Sequence, residues 1–400
     1  MTAGDRGARI ARAVDTVTLS FVGDIYATRR STEAFARDPA FLEAPACLLR
    51  RADVGFANLE GPLLRGGQAL FSSGVRLQAS PDATALLRHL GVHLVGLANN
   101  HTTDYGPEGV VSTQEALRAG GLGWVGAGRT DREARSPVVV TVRGQRVGFL
   151  ATCDDEGGAA GPHRPGVWVI QRRALLGAVR DLRTRSDVVV VSMHTGIELS
   201  PYPEPYFVRL AHQLVDAGAT VVVGHHPHVP QGVERYGRGL IAYSLGDFLF
   251  DPPAGSVEHL TTRQRQLNAL HPILETEVRD GAVKDFRLYW LTRRDDGWYV
   301  PAEGQSSLDV PREFHALCAV LGDPAEYRRQ VEAIYRAEFK ELAYYLPLGF
   351  CRDVYHGGFR TLRSFLFFLG TLRRQPKRRR LRVGFVSWVR LLRGRRPAAR

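Results

Sequence analysis

Five apolar, strand-like runs in this 400-residue chain end on a Gly, a small residue or a Met and break at once into metal-binding or acid–base side chains. TVTLSFVG leads into Asp24, VGFA into Asn58 and Glu60, and VHLVGLA into Asn99, Asn100 and His101. DVVVVSM leads into His194, and TVVVG into His225, His226, Pro227 and His228. Parallel strands of an open α/β sheet present their carboxyl ends along one edge, so residues distant in sequence meet there. Five such junctions predict one composite site on an α/β fold with a largely parallel or mixed sheet.

The rest of the chain supports that alternation. Strands are expected at 17–22, 92–97, 138–142, 147–151, 188–193, 220–223 and 240–244, with helices at 44–51, 81–89, 107–119, 172–183 and 205–217. Pro81, Pro107 and Pro205 suit first helical turns, where a missing N–H costs nothing. Residues 154–166 and 251–256 are Gly/Pro/Asp-rich loops placed to rim a site. Beyond residue 301 the texture becomes helical, at 311–321 and 324–344, with Tyr327, Val331, Ile334, Tyr335 and Phe339 near a 3.6-residue period. Four segments follow: a flexible lead-in at 1–16, a main domain at 17–300, a helical extension at 301–351 and a basic aromatic tail at 352–400.

Charge is concentrated in that tail, which holds 15 Lys/Arg against the single acid Asp353, whereas residues 1–351 carry 38 basic and 40 acidic side chains. Cys47, Cys153, Cys318 and Cys351 lie far apart without CxxC spacing, so free thiols in a reducing compartment are expected. The N-terminus lacks the apolar h-region of a signal peptide, and no run approaches the ~20 apolar residues that span a bilayer. A cytoplasmic protein is the expectation. Its tail reads either as a solvated extension or as a peripheral contact with the inner face of the membrane, Phe365–Phe368 and Trp388 inserting beside lipid-facing Lys/Arg. Nucleic acid is disfavoured as a partner, because no recognition motif accompanies the charge. The oligomeric state is not legible.

His226-Pro-His228 is the sharpest chemical element. Two imidazoles one residue apart after a buried strand need polar partners for their ring nitrogens, which favours metal ligation over a solvent-exposed His-rich turn. Asp24 after Gly23 fits an ordinary turn as well as a ligand, and Glu60 is either a bridging carboxylate or a loop carboxylate. Asn99-Asn100-His101 sets amide oxygens suited to a hard divalent ion beside an imidazole, against a left-handed turn that Asn also tolerates. His194 follows four valines. Carboxylate, amide oxygen and imidazole together suit borderline divalent metals such as Mn, Fe, Zn or Co. Two such ions about 3.5–4 Å apart would activate a water and clamp a phosphoryl-type oxyanion. His101 would then act as general acid, with Asp104 orienting its ring.

In order along the chain stand Gly23-Asp24, Asn58-Leu59-Glu60-Gly61, Ala98-Asn99-Asn100-His101, Asp104-Tyr105-Gly106 and His194-Thr195-Gly196-Ile197-Glu198. Gly224-His225-His226-Pro227-His228-Val229 and Tyr243-Ser244-Leu245-Gly246-Asp247-Phe248 complete the series. Over about residues 17–290 this series resembles the bacterial capsule-synthesis (CapA, poly-γ-glutamate) family, a branch of the calcineurin-like metallophosphoesterases. The resemblance implies a four-layer α/β/β/α sandwich with a dinuclear site above paired sheets, here carrying a C-terminal helical, basic extension. It implies that Asp24 and His228 hold one metal, that Asn100, His194 and His226 hold the other, and that Glu60 bridges them. His101 matches the superfamily's catalytic histidine, with Asp104 in the same pattern. Arg29 would face an anionic substrate, and Asn58 and Glu198 are assigned to substrate binding beside it.

Three positions depart from the pattern. Tyr26 replaces the histidine of the phosphoesterase Asp-x-His, Glu60 stands where those enzymes carry Asp, and Asp247 stands where the capsule family often has Asn. No run of the sequence matches the family's usual membrane anchor, so a role at the cell surface is not expected. The leading expectation is a metal-dependent hydrolase-like enzyme acting on a phosphorylated or glutamyl-like anionic molecule or polymer, with two Mn, Fe or Zn ions. An enzyme forming or cleaving amide bonds on γ-glutamyl substrates is one alternative. A non-catalytic capsule or polymer assembly factor is the other.

Overall fold

A computed structural model describes residues 15–69, 75–154, 158–251, 260–295, 297–302 and 311–344 of the protein. The tail at 352–400 and all of the lead-in except Asp15 and Thr16 lie outside these residues, as do parts of both expected rim loops.

In chain order the first strands are β1 (Val17–Tyr26), β2 (Val54–Leu59), β3 (Leu94–Gly96), β4 (Gly123–Val125), β5 (Ala127–Gly128) and β6 (Val138–Val142). Then come β7 (Gln145–Cys153), β8 (Gly166–Val167), β9 (Val188–His194), β10 (Val221–His225) and β11 (Val233–Tyr236). The last are β12 (Gly239–Ala242), β13 (Asp247–Phe250), β14 (His271–Arg279), β15 (Ala282–Arg293) and β16 (Tyr299–Pro301). An eight-stranded sheet runs β16-β15-β14-β1-β2-β3-β4, with β13 also paired to β1, and a six-stranded sheet runs β11-β12-β10-β9-β7-β6. At their centres β1-β2-β3 and β12-β10-β9-β7 are parallel.

The valine runs explain the layering. β-branched residues favour strands, and an uninterrupted run of them fits a strand covered on both faces. In β9, Val188 and Val190 enter a core shared with Phe21, Phe56 and Leu94 of the other sheet. Val189 and Val191 point the opposite way, onto Leu175, Val179 and Leu182 of helix Arg172–Arg185 and Leu210 and Leu214 of helix Pro205–Asp216. Phe56 of β2 and Phe149 of β7 stack between the sheets, with ring centroids 5.8 Å apart and planes 4° from parallel. Helices Glu43–Leu49, Ala83–Leu90 and Gly106–Ala119 set Leu49, Leu86, Leu90 and Val110 into the core of the first sheet. The order is α/β/β/α, the four-layer sandwich expected.

Several boundaries move for local reasons. The sequence pattern ends the first strand at Val22, yet β1 continues to Tyr26, because the Asp24 amide donates to the Gly246 carbonyl at 2.8 Å and β13 pairs alongside. β9 and β10 likewise carry His194 and His225 inside the strand. The β14–β15 hairpin has no counterpart among the expected strands. Asp280 and Gly281, at φ +54° and +65°, form its two-residue turn, the conformation that Asp-Gly prefers. The C-terminal helices Arg312–Gly322 and Pro324–Tyr344 bury Phe314, Leu317 and Val331 in a third cluster with Tyr202, Val229, Leu267 and Trp290. Among the described residues no helix is long and apolar enough to cross a membrane.

Replacing Phe149 with Ala removes the inter-sheet stack and is expected to destabilise the protein by about 3–5 kcal/mol in urea unfolding. A second expectation concerns Asp251, which follows β13 and accepts hydrogen bonds from Thr28, Ser31 and Arg293. Burial raises its carboxyl pKa, but Ser31, Thr28 and the Arg293 guanidinium outweigh that and leave it below the usual range. A depressed carboxylate contributes stability that is present above its unfolded value of ~3.9 and is lost as pH falls below it. Thermal melts between about pH 5 and pH 2 should therefore fall more gently in Asp251→Asn than in wild type.

Candidate metal centre

Parallel register aligns the polar junctions. In the first sheet Asp24 lies opposite both Asn58 and Asp247, and Asn58 lies opposite Gly96, five residues before His101. In the second sheet His225 lies opposite His194. Glycine immediately before two of these junctions has a steric reason. A Cβ on Gly23 would stand 1.8 Å from the Gly246 carbonyl oxygen, and one on Gly224 1.9 Å from that of Tyr243.

The two rows meet across the sandwich. Asp24, fully buried, accepts from Asn58 Nδ2 at 2.8 Å and from the His226 amide at 3.2 Å. His225 Nδ1 approaches the same carboxylate to 3.2 Å, within ion-pair reach but outside hydrogen-bond geometry. Burial pushes the Asp24 carboxyl up, and the adjacent His225, with His194 and His228, more than reverses that, so its pKa falls below the ordinary range. Asp24, Glu60 and His228 offer donor atoms within 4.8 Å of one another, a spacing one cation can span.

Glu60, like His225, has no hydrogen-bond partner for its buried polar atoms. Both of its carboxylate oxygens are buried without a hydrogen-bond partner, and Oε1 lies 3.7 Å from His101 Nε2 and 3.8 Å from His228 Nε2. Burial, offset in part by His228 and reinforced by Asp24, Asp247 and Glu198, raises its pKa well above the usual value.

A second group gathers beside the first. His194 Nε2 stands 2.9 Å from Asn100 Oδ1 and 3.1 Å from His226 Nδ1, while His194 Nδ1 is 3.3 Å from Asn58 Nδ2. Burial, with His226 adding to it, holds His194 well below its usual pKa and therefore neutral, the form that can ligate. His226 and His228 adopt φ +98° and +59°, conformations uncommon for non-glycine residues. Each such residue stores of order 1–3 kcal/mol. The resulting kink presents two imidazoles from a three-residue loop.

Hydrogen bonds orient the remaining rings. His101 Nδ1 lies 2.7 Å from Asp104 Oδ2, which also accepts from the Leu77 amide at 2.8 Å. Asn99 Oδ1 accepts from the amides of His101 and Thr102, and its Nδ2 donates to the Leu59 carbonyl, tying this loop to β2. His228 Nδ1 lies 2.7 Å from Asp247 Oδ1, and its ring meets Phe250 edge-on at 5.0 Å.

Asp24, Glu60, Asn100, His101, Asp104, His194, His226 and His228 are thus brought together. Asn58 lies fully buried against Asp24 and His194, beneath the cluster. Glu198 is exposed, within electrostatic range of Glu60. Arg29 begins helix Arg29–Arg37, is largely exposed and pairs with Glu33 in that helix rather than with the cluster. Tyr26 directs its hydroxyl to the Gln78 carbonyl at 3.4 Å and its ring to Phe250. Sequence reasoning gives no role to His225 or Asp247. Strand ends rich in titratable residues mark both, but their partners become visible only with the register.

A sequence profile described as bacterial capsule synthesis protein PGA_cap matches residues 18–252. The capsule biosynthesis protein CapA of Bacillus anthracis is 33% identical over 252 residues, 60% of this chain and 61% of that protein. The PGA biosynthesis protein CapA of Bacillus subtilis is 31% identical, over 59% of this chain and 64% of that protein. A probable polyglutamine synthesis accessory protein of Mycobacterium tuberculosis is 35% identical, over 52% and 59% respectively. The chain therefore matches less than two thirds of the length of each of these relatives. Among solved structures, a hypothetical protein from Thermus thermophilus aligns with TM-score 0.43 and 20% identity, over 71% of this chain and 100% of that one. The NAD nucleotidase of Haemophilus influenzae aligns with TM-score 0.40 and 12% identity, over 82% and 68%. Since the profile covers more than half of its residues, this chain belongs to the bacterial capsule synthesis protein (PGA_cap) family.

Proposed function

We propose that this protein is a metal-dependent, hydrolase-like enzyme acting on a phosphorylated or glutamyl-like anionic substrate in poly-γ-glutamate, capsule or related biosynthesis. One observation carries the reading: the buried carboxylate of Glu60, without a hydrogen-bond partner, set between the Nε2 atoms of His101 and His228. An isolated buried carboxylate costs several kcal/mol, and a divalent cation between such groups removes that cost. The residues fit the group. Asp24, Glu60 and His228 would hold one ion, and Asn100, His194 and His226 a second, a mixed oxygen and nitrogen set suited to Mn, Fe or Zn. The names of the Bacillus relatives, for capsule and PGA biosynthesis, support the polymer class.

Bound ions would supply Lewis-acid stabilisation of a developing oxyanion and an activated water. The chain's own residues supply the rest. Asp104 fixes His101 through Nδ1, leaving Nε2 toward the cluster to carry a proton for the leaving group. Asn58, fully buried, donates to Asp24 and orients that carboxylate. Arg29 would meet an anionic substrate by exchanging its exposed Glu33 partner, and surface pairs of this kind are weak.

A non-catalytic accessory role is the second reading. It is favoured by Tyr26, whose side chain has no nitrogen to offer a metal and whose hydroxyl donates to the Gln78 carbonyl at 3.4 Å.

Mn²⁺ titration of metal-stripped, full-length protein tests the proposal, with a screen of phosphate-ester and γ-glutamyl substrates. Wild type should take up Mn²⁺ and melt higher when loaded, and uptake of none would end the metal-dependent reading. His101→Ala should keep its metal and lose about 10²–10⁴-fold in rate, whereas equal rates would remove the proton-transfer role. Glu60→Gln stays neutral at every pH, so it is expected to melt higher than metal-free wild type at pH values well above the unfolded carboxyl pKa of ~4.3 and to lose the rise caused by Mn²⁺.

A further inference from the structure

Asn268 closes helix Thr262–Asn268, beyond residue 252 where the family match ends. Its side-chain amide donates twice, to the main-chain oxygen of His228 at 2.6 Å and to Asp247 Oδ2 at 2.9 Å. The other oxygen of Asp247 holds His228 Nδ1 at 2.7 Å. One side chain therefore grips both the backbone of His228 and, through Asp247, its ring. With Nδ1 engaged, Nε2 is the nitrogen left toward Glu60, 3.8 Å from Oε1.

His228 requires such a hold. Its φ of +59° belongs to a region that a non-glycine residue keeps only when its surroundings over-determine it. The supporting helix is itself anchored. Thr261 and Gln264 close a capping box at its start, and Gln264 Nε2 reaches the Leu199 carbonyl at 3.4 Å. Leu267 is buried with Val229, Trp290 and two residues of helix Arg312–Gly322, Phe314 and Leu317. The C-terminal helices thus set the place from which Asn268 acts, although they too lie outside the matched stretch.

We infer that Asn268 is a positioning residue for the divalent cation held by Asp24, Glu60 and His228, locking the Asp247–His228 pair so that Nε2 faces Glu60. The inference rests on the metal-dependent reading above. Hydrogen-bond partners behind a metal-binding histidine typically govern 10–100-fold in metal affinity.

The test is calorimetric titration of full-length protein with Mn²⁺ alone, joined to nitrogen-15 spectra of the His228 ring in metal-free protein. Asn268→Ala and Asn268→Leu, the latter filling space without an N–H donor, should each weaken one Mn²⁺ step by about 10–100-fold and spare the other. His226→Ala should abolish the spared step and keep the sensitive one. The ring spectra should show a His228 Nδ1 proton held by Asp247 and protected from solvent exchange in wild type, and rapid exchange of that proton in both Asn268 variants. Unchanged Mn²⁺ affinity in either folded Asn268 variant, or an unchanged ring signature, overturns the inference while leaving the metal-dependent reading intact. If wild type binds no Mn²⁺, that reading falls instead, and the ring spectra alone decide whether Asn268 positions His228.

Discussion

The contact of two sheet edges at Asp24 organises this molecule. A carboxylate buried to zero exposure is tolerable only with partners on every side, because desolvation penalises its charge heavily. Asn58 from the neighbouring strand and the His226 amide from the opposite sheet supply hydrogen bonds, and His225 supplies an imidazole at 3.2 Å. Parallel pairing places Asn58 beside Asp24, whereas His225 and the His226 amide reach it by packing of the second sheet across the sandwich. The same contact that satisfies Asp24 therefore fixes the distance between the two rows of candidate site residues. The stacked rings of Phe56 and Phe149 hold the sheets together deeper in the core.

Above that contact the molecule carries local strain and unpaired polar atoms. Glu60 keeps two buried oxygens unpartnered, while His226 and His228 hold left-handed backbone conformations. Functional sites are where such local violations concentrate. The surrounding structure opposes them with many satisfied groups: Asp104 behind His101, Asp247 behind His228, and Asn99 tying its loop to β2. Rings held by second partners keep a single orientation, which a ligand or a proton donor needs.

The C-terminal helices enlarge this picture. They join the buried cluster of Val229, Leu267 and Trp290, directly beside the His226–His228 loop. Packing of this kind has low compressibility and transmits displacement rather than absorbing it. Residues beyond the family match thus pack directly against the site region, and Asn268 is one of their contacts with it, reaching His228 and Asp247.

The valine runs alone specified buried strands, since β-branched residues without polar alternation fit nothing else as well. The junction residues alone marked the candidate cluster, because carboxylates, amides and imidazoles after such runs have no place in an apolar core. Those junctions, together with the family resemblance, put Asp24, Glu60, Asn100, His194, His226 and His228 forward as the expected ligand set. Local pattern could not reveal the β14–β15 hairpin's place beside β1, nor the positions of Asn58, Arg29 and Asp247. Asn58 alternates into the buried face beneath Asp24, and Arg29 turns outward on its helix to meet Glu33. Asp247 finds His228 only because β13 pairs with β1, and Asn268 finds both only because its helix docks on the C-terminal cluster. Composition along the chain decides which side chains must be buried or satisfied, whereas register and long-range packing decide which partner satisfies each one.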